Sequence, residues 1–188
     1  MAGPYVAARL TQHLFFDARA LVGRSSNHTD PLGAYTDVFE TERGLISAKL
    51  SGHWVHGAWS FRPSAEVVYF TDRQKAYTNS IGIRIDSQSV ALGRLTFGPE
   101  FAYRIDLDHG RILEPFVSLR GVWDFARAAE TIVAREQISG EDWRGRVEAG
   151  ISLRSQPGLT VRASASYDGI GDSHFHAWRG QALVVLPF

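Results

Sequence analysis

The sequence predicts an all-β protein whose antiparallel strands form an up-and-down β-barrel that spans a membrane. Three features of the chain indicate this fold. Successive segments alternate apolar and polar residues with a period of two, one phase of each segment carries no charge, and the Trp residues lie on that phase near segment ends. A period of two is typical of a strand with one apolar and one wet face. Lipid keeps charge off one face because Arg or Lys at mid-bilayer costs about 2 to 4 kcal/mol.

Nine segments are predicted as strands, and most reach the roughly 9 to 11 residues that a tilted strand needs to cross a bilayer. In chain order they are 4–10, 14–22, 44–54, 59–70, 91–105, 113–124, 143–154, 159–168 and 178–188.

In the first five segments the charged residues fall on a single phase. They are Arg9, Asp17, Arg19, Lys49, Arg62, Glu66, Arg94, Glu100 and Arg104. The opposite phase is apolar, and in segment 59–70 it consists of Trp59, Phe61, Pro63, Ala65, Val67 and Tyr69.

The last four segments repeat the division. Their charged phase carries Glu114, Arg120, Arg144, Arg146, Glu148, Arg154 and Arg162. In the final segment the uncharged phase runs through Trp178, Gly180, Ala182, Val184, Leu186 and Phe188.

The charged phase is predicted to line the interior of the barrel. We expect the principal luminal charges to be Arg62, Glu66, Arg94, Glu100, Arg104, Glu114, Arg120, Arg144, Arg146, Glu148 and Arg162. The acidic members could resemble paired catalytic acids. With so many arginines on the same phase, charge pairs across neighbouring strands are the favoured interpretation.

Large aromatic residues on the uncharged phase are predicted to form belts at the two membrane interfaces, where amphipathic rings are enriched. The predicted belt residues are Trp54, Trp59, Tyr69, Tyr103, Trp123, Trp143, Tyr167 and Trp178. A soluble β-sandwich also buries Trp, but it has no reason to confine these rings to strand ends.

The connections alternate in length, which predicts an orientation. Short turns are expected at 11–13, 55–57, 106–110 and 155–158, and longer polar loops at 25–37, 71–88, 125–142 and 168–174. In outer-membrane barrels the short turns face the periplasm.

Composition excludes several classes of protein. The chain has no cysteine, a formal net charge of zero and a mean hydropathy of -0.15. No apolar run is long enough for a membrane helix, which excludes an inner-membrane protein. The balanced charge removes any case for a nucleic-acid partner.

An odd number of strands is unexpected, because single-chain bacterial barrels have an even number. No signal peptide precedes the first strand either. We therefore expect the chain to be the carboxy-terminal part of a longer product, with further strands supplied by that product or by an oligomer, since lipid does not tolerate open sheet edges.

Five stretches resemble the carboxy-terminal β-domain of bacterial autotransporters, in the family's order and over nearly the whole chain. They are TERGLISAKLSG from Thr41, RLTFGPEFAYR from Arg94, LEPFVSLRGVWDF from Leu113, GRVEAGISLR from Gly145, and LTVRASASYDGIGDSHFHAWRGQALVVLPF from Leu159.

The resemblance implies a single β-barrel domain over residues 1–188 that holds about nine strands of a twelve-stranded family barrel. It also implies a role as the translocator of type V secretion in the outer membrane of a Gram-negative bacterium. The implied partners are outer-membrane lipid, the barrel assembly machinery and an upstream passenger, which these residues do not include. No cofactor is implied.

By the same resemblance, the final strand carries an assembly signal. The matching residues are Trp178, Gly180, Leu183, Val185 and Phe188. An aromatic at Phe188 suits pairing of this strand with another sheet edge. The alternative is that Phe188 only anchors the strand at the membrane interface.

Other functions are less well supported. His174 and His176, with Asp168 and Asp172, share one predicted loop, but their spacing matches no zinc signature. We therefore predict no metal site. No GxSxG motif occurs either, so no catalytic site is predicted. A stand-alone channel or porin and a soluble β-sandwich binding module remain as alternatives.

Overall fold

The computed structural model describes residues 1–30, 36–130, 142–155, 158–173 and 175–186. Almost all of the regular structure in these residues is strand. The strands are β1 Tyr5–Arg9, β2 Leu14–Thr29, β3 Asp37–Gly52, β4 Trp54–His56, β5 Trp59–Gln74, β6 Tyr77–Thr78, β7 Arg84–Ile85, β8 Gln88–Tyr103, β9 Ile105–Leu107, β10 Arg111–Glu130, β11 Asp142–Arg154, β12 Thr160–Ile170 and β13 Ala177–Val185. A single 3-10 turn, Asp108–Gly110, separates β9 from β10.

The long strands form one antiparallel sheet in the order β1-β2-β3-β5-β8-β10-β11-β12-β13. Neighbours in this order are consecutive long strands of the chain, so the sheet is an up-and-down meander. The short strands β4 and β9 pair with β5 and β10 in the turns, and β6 pairs with β7 in a separate small hairpin. The nine predicted strands are therefore confirmed.

No helix among the described residues is both long enough and apolar enough to cross a membrane.

The four long loops begin later in the chain than polarity predicts, because the preceding strands continue into the predicted loop residues. β2 and β3 pair as far as Thr29 with Asp37, inside the predicted loop 25–37. β5 extends to Gln74, β10 to Glu130 and β12 to Ile170, inside the other three. Outside the bilayer both faces of a hairpin meet water, so apolar alternation no longer distinguishes a strand from a loop.

The prediction that one strand covers 44–54 was also wrong at its end. β3 stops at Gly52, and Trp54 begins β4, where it lies opposite Phe61 of β5. The backbone amide of His53, at the bend between β3 and β4, donates a hydrogen bond to the carbonyl of His13. The apolar alternation continues through this bend, so sequence periodicity could not locate it.

Burial is inverted relative to a water-soluble protein. Asp124 and Ser118 are fully buried on one face, whereas Ile46, Leu119 and Ile151 on the other face are each more than half exposed. The exposed apolar face is the one that the sequence assigns to lipid, and the solvent for such a face is hydrocarbon.

Contacts between strands that are not neighbours show that the sheet curves toward its polar face. Arg62 on β5 reaches Glu114 on β10, across β8, and Arg162 on β12 reaches Glu100 on β8, across β10 and β11. Side chains stand roughly perpendicular to their sheet, so these contacts require curvature. We call this polar surface the concave face and the apolar one the convex face.

Besides the register shifts at Asp124–Ala126 and Gly145–Arg146, the pairing ladder has a break inside the sheet. Pro63 and Pro99 lie opposite each other on β5 and β8, and neither residue has an amide hydrogen to donate. Pairing of β3 with β5 stops one residue short of Pro63, and pairing of β8 with β10 is interrupted at Gly98 and Pro99. Gly98 has φ 150°, and a Cβ there would lie 2.0 Å from the carbonyl oxygen of Leu119, so only glycine fits.

Candidate functional site

The candidate site is the concave face of β5, β8, β10, β11 and β12, where the inward phase of each strand brings its charges together. Alternation along a strand explains why every second residue points there. Two groups of ion pairs lie on this face at different heights, and we call them the lower and the upper network.

The lower network consists of Arg62, Glu100, Glu114 and Arg162. Arg62 donates from Nη1 to Glu100 Oε1 at 3.1 Å and from Nη2 to Glu114 Oε1 at 2.7 Å. Arg162 donates from Nη2 to the second oxygen of Glu100, also at 3.1 Å. The Arg162 guanidinium lies over the ring of Phe116, 3.7 Å from its centroid. The charges of two arginines thus equal those of two carboxylates, and the Phe116 ring stabilises the Arg162 guanidinium by a cation–π interaction.

The upper network consists of Arg94, Asp124, Arg144, Arg146 and Asp168. Arg94 grips Asp124 with two hydrogen bonds, while Arg144 donates to both Asp124 and Asp168. Arg146 donates to Asp168 from Nε at 3.0 Å. Asp124 is fully buried and Arg144 is 7% exposed. Charge-assisted pairs with several donors per carboxylate are the strong class of hydrogen bond.

The two acids at the centre of the upper network are not among the predicted luminal charges. Asp124 lies on the inward phase of its segment but was left out of the predicted luminal charges. Asp168 was assigned to a loop, whereas it lies within β12 and is buried. The signal that could have identified Asp124 was its inward position, one step along the inward phase from Val122, which lies opposite Arg144.

The remaining predicted luminal charges lie outside both networks. Arg120 donates to Ser64 at 3.0 Å. Glu66 is opposite Lys49, and Glu148 is opposite Ser118 and Ser166, but no salt bridge of either acid is found in the part of the chain that the structure describes. Arg104 lies in the turn after β8, where it is exposed and bound to Asp106.

The predicted belt residues lie at two levels of the convex face, mostly in cross-strand pairs. At the short-turn end, Trp59 packs edge-on against Tyr103, with ring centroids 4.9 Å apart, and Trp54 lies between the rings of His13 and Phe61.

At the opposite end, Trp123 stacks on Trp143 with centroids 5.0 Å apart, and Tyr167 packs against Trp178 at 4.8 Å. Tyr69 is exposed at the same end of β5. These positions suit interfacial anchoring, which stays a prediction.

The predicted loop that contains Asp168, Asp172, His174 and His176 has an interaction other than metal binding. His176 shares a hydrogen bond with the hydroxyl of Tyr167 at 2.7 Å. Asp168 is committed to arginines, and His174 lies outside the described residues. No cluster of metal-ligating side chains is found among the residues that the structure describes.

The strand predicted to carry the assembly signal is β13, whose one partner in the described chain is β12. Trp178 is 79% exposed on the convex face, in line with Gly180. Leu183 lies opposite Arg162 and therefore on the concave phase, as does Val185. Phe188 lies outside the described residues.

Comparison with known proteins gives a consistent result. The sequence model of the autotransporter beta-domain family matches residues 1–166. The BrkA autotransporter of Bordetella pertussis is 30% identical over 112 residues, which are 58% of this chain and 11% of that protein. The pertactin autotransporter of Bordetella parapertussis is 25% identical over 177 residues, which are 88% of this chain and 18% of that protein. The chain thus spans less than a fifth of either relative.

A solved structure shares the fold. The crystal structure of the beta domain of the Bordetella autotransporter BrkA matches with a TM-score of 0.59 and 24% identity, over 96% of this chain and 69% of that chain. At this identity the likeness concerns the fold alone, and it places the curved sheet described above in a β-barrel.

We predict that Asp124→Ala destabilises the folded barrel by about 3 kcal/mol, because it leaves Arg94 and Arg144 without a buried carboxylate. The measurement is the urea concentration at half-unfolding of detergent-folded protein. Glu66→Ala serves as the control, since it removes a concave-face acid that holds no salt bridge among the described residues. Equal midpoints for the two variants would show that the upper network does not stabilise the fold.

Proposed function

This chain belongs to the autotransporter β-domain family, and we propose that it is the outer-membrane translocator through which an upstream passenger reaches the cell surface. The observation that carries the proposal is the concave face, where arginines pair with carboxylates of the neighbouring strand and also, for Arg62 with Glu114 and Arg162 with Glu100, of strands further apart. A polypeptide that crosses the bilayer needs a hydrated pore surface that neither repels it nor binds it tightly. Paired charges provide water-binding groups with little net field.

Autotransporter β-domains are outer-membrane barrels of Gram-negative bacteria, and the convex face of this chain suits that location. Its large residues are apolar at the middle of the strands and aromatic near both ends. We propose that outer-membrane lipid covers this face, that residues 1–188 act as one domain, and that the four short turns face the periplasm.

The family's β-domain is a secretion module, and membership implies an upstream passenger domain. We propose that this chain itself makes and breaks no covalent bond. Ion pairs account for the burial of Asp124 and Arg144 without any acid–base role, and buried Asp37 accepts two hydrogen bonds from Ser80. Any chemical activity then belongs to the passenger.

We also propose that Trp178, Gly180, Leu183, Val185 and Phe188 form the signal read by the barrel assembly machinery. In support, β13 stands at one end of the strand order and pairs with β12 alone in the described chain. A strand with an open edge can add to another sheet through its backbone. The exposed Trp178 and Leu183 supply side chains on both faces for recognition.

Removing residues 1–188 from the full-length product is expected to leave the passenger inside the cell envelope, because the passenger then has no route across the outer membrane. The measurement is cleavage of the passenger by protease added to intact cells. Lysed cells, in which the protease reaches every compartment, are the control. A passenger that is cleaved equally in intact cells with and without these residues would overturn the translocator proposal.

The orientation can be tested because this chain contains no cysteine. Asp86→Cys lies in the long connection before β8, and His56→Cys lies in a short turn at the opposite end. With a membrane-impermeant maleimide on intact cells, we expect labelling of the first and not the second. Permeabilised cells should label both, and the reverse pattern in intact cells would mean that the barrel is inserted the other way.

Phe188→Ala in the full-length product should lower its outer-membrane level at least about threefold without changing synthesis, as expected if an aromatic anchor worth about 1 kcal/mol is lost from the recognised strand. Heat-modifiable mobility of the barrel in outer-membrane fractions measures this level. Leu186→Ala, a truncation on the same phase outside the proposed signal, is the matched control. Equal levels of the two variants would favour simple interfacial anchoring by Phe188.

A further inference from the structure

A group of charged residues lies on the convex face above the predicted membrane boundary, whereas the part of that face between the two aromatic belts is uncharged. Successive rows across β2, β3 and β5 can be read from the register. One row is Val22, Gly44 and Thr71, and the next row outward is Arg24, Glu42 and Arg73. We call these six residues the outer-face patch.

The patch lies just outside the aromatic belt. Tyr69 is two residues below Thr71 on β5, so the row with Gly44 is about 7 Å along the strand from the belt and the row with the arginines about 13 Å. With strands tilted near 45°, the arginines stand about 9 Å above the belt. That height corresponds to lipid headgroups, and the row with Gly44 lies at their boundary with the acyl chains.

A hollow separates the belt from the arginines. Gly44 has no side chain, and its neighbours in the row, Val22 and Thr71, flank the space that this leaves. The cavity at this position measures about 580 Å³ and is bounded outward by Arg24 and Arg73. Val22 is 72% exposed. An apolar floor beneath two cations suits an amphiphile whose charged group is anionic.

The charges around the hollow leave a cation available. Lys75 is occupied by Glu40 and Glu42 at 3.0 and 3.1 Å, and its hydrogen bond keeps the pKa of the Glu42 carboxyl below its ordinary value. Arg24 contacts Glu42 only through Nε, at 3.3 Å, and its side chain is 80% exposed. No salt bridge of Arg73 is found in the residues that the structure describes. In and beside the patch, three cations face two carboxylates, so the net charge there is positive. These residues are Arg24, Arg73, Lys75, Glu40 and Glu42.

We propose that the outer-face patch binds a phosphorylated, multiply acylated lipid of the outer leaflet, with phosphate at Arg24 and Arg73 and an acyl chain over the Gly44 hollow. Arginine recognises phosphate through several donors in a fixed plane. The two arginines are two strand spacings apart, about 10 Å, which two long side chains can bridge onto one headgroup. The convex face continues from the hollow into the bilayer. The proposal rests on the orientation given under the proposed function.

The test uses the full-length product in a neutral detergent, with bisphosphorylated lipid A as the probe and native mass spectrometry as the measurement. We expect a specific adduct. Arg24→Ser combined with Arg73→Ser should weaken binding about tenfold or more, because hydrogen bonds to charged groups are lost. Gly44→Leu, which keeps every charge but fills the hollow, should also weaken it. Arg73→Ser alone serves if the double variant fails to fold.

The matched control is Arg84→Ser combined with Arg111→Ser. It removes the same charge from two exposed arginines, one in the β6–β7 hairpin and one at the start of β10, and should keep the affinity of the unmodified protein. Dephosphorylated lipid A should bind about tenfold more weakly than the bisphosphorylated form. Inorganic phosphate at equal concentration should not displace the lipid.

Four outcomes would overturn the proposal: unchanged binding in the Arg24 and Arg73 variant, equal loss in the control, equal binding of the dephosphorylated lipid, or displacement by inorganic phosphate. A dimer seen in place of a lipid adduct would assign the patch to a second copy of the chain and overturn it as well. Binding in detergent does not depend on insertion direction. Failure of Asp86→Cys to label in intact cells would therefore refute the orientation separately.

Discussion

The structure depends on one constraint, which is that backbone groups facing hydrocarbon must find their hydrogen bonds within the sheet. Lipid offers no replacement partner, so each long strand pairs with its neighbours in sequence and the sheet becomes a continuous meander. The same constraint explains the break in the ladder at Pro63 and Pro99. Pro63 and Pro99 face each other at a point where pairing with the outer neighbours already stops, and Gly98 allows close approach of the next strand.

Because lipid excludes charged side chains from the convex face, the charged side chains of the spanning strands are concentrated on the concave face. Every arginine and carboxylate in the membrane-spanning part must point inward, and there the charges are close enough to pair. The pairs of Arg62 with Glu114 and of Arg162 with Glu100 join strands that are not adjacent, so they also favour the curvature of the sheet. The outcome is a wall with many ionised groups, of which those in the two networks are held in ion pairs, and we propose that it suits a polypeptide in transit. The outer-face patch lies where the strands leave the hydrocarbon region, so a charged side chain on the convex face no longer has a large desolvation cost there.

Much of the candidate site was predictable, but its connectivity was not. Arg62, Glu100 and Arg162 were assigned to the interior from alternation, and the barrel fold predicted from the same pattern is confirmed. The family and the outer-membrane location, which the five matching stretches imply, are confirmed as well. Asp124 was left out of the predicted luminal charges although alternation places it inward. Asp168 was assigned to a loop because it lies near the end of β12, where polarity stops being informative. The roles of the belt and of the assembly signal stay predictions.

Local pattern was sufficient to determine which face of each strand meets lipid and how many long strands there are, because a period of two depends only on neighbouring residues and their solvent. Three features were decided by the tertiary structure: how far each hairpin projects beyond the bilayer, where the chain bends at His53, and which charges meet. Glu100 and Arg162 are 62 positions apart, and their hydrogen bond exists because register and curvature carry them across two intervening strands. Such proximity is a property of the curved sheet, and no short stretch of sequence contains it.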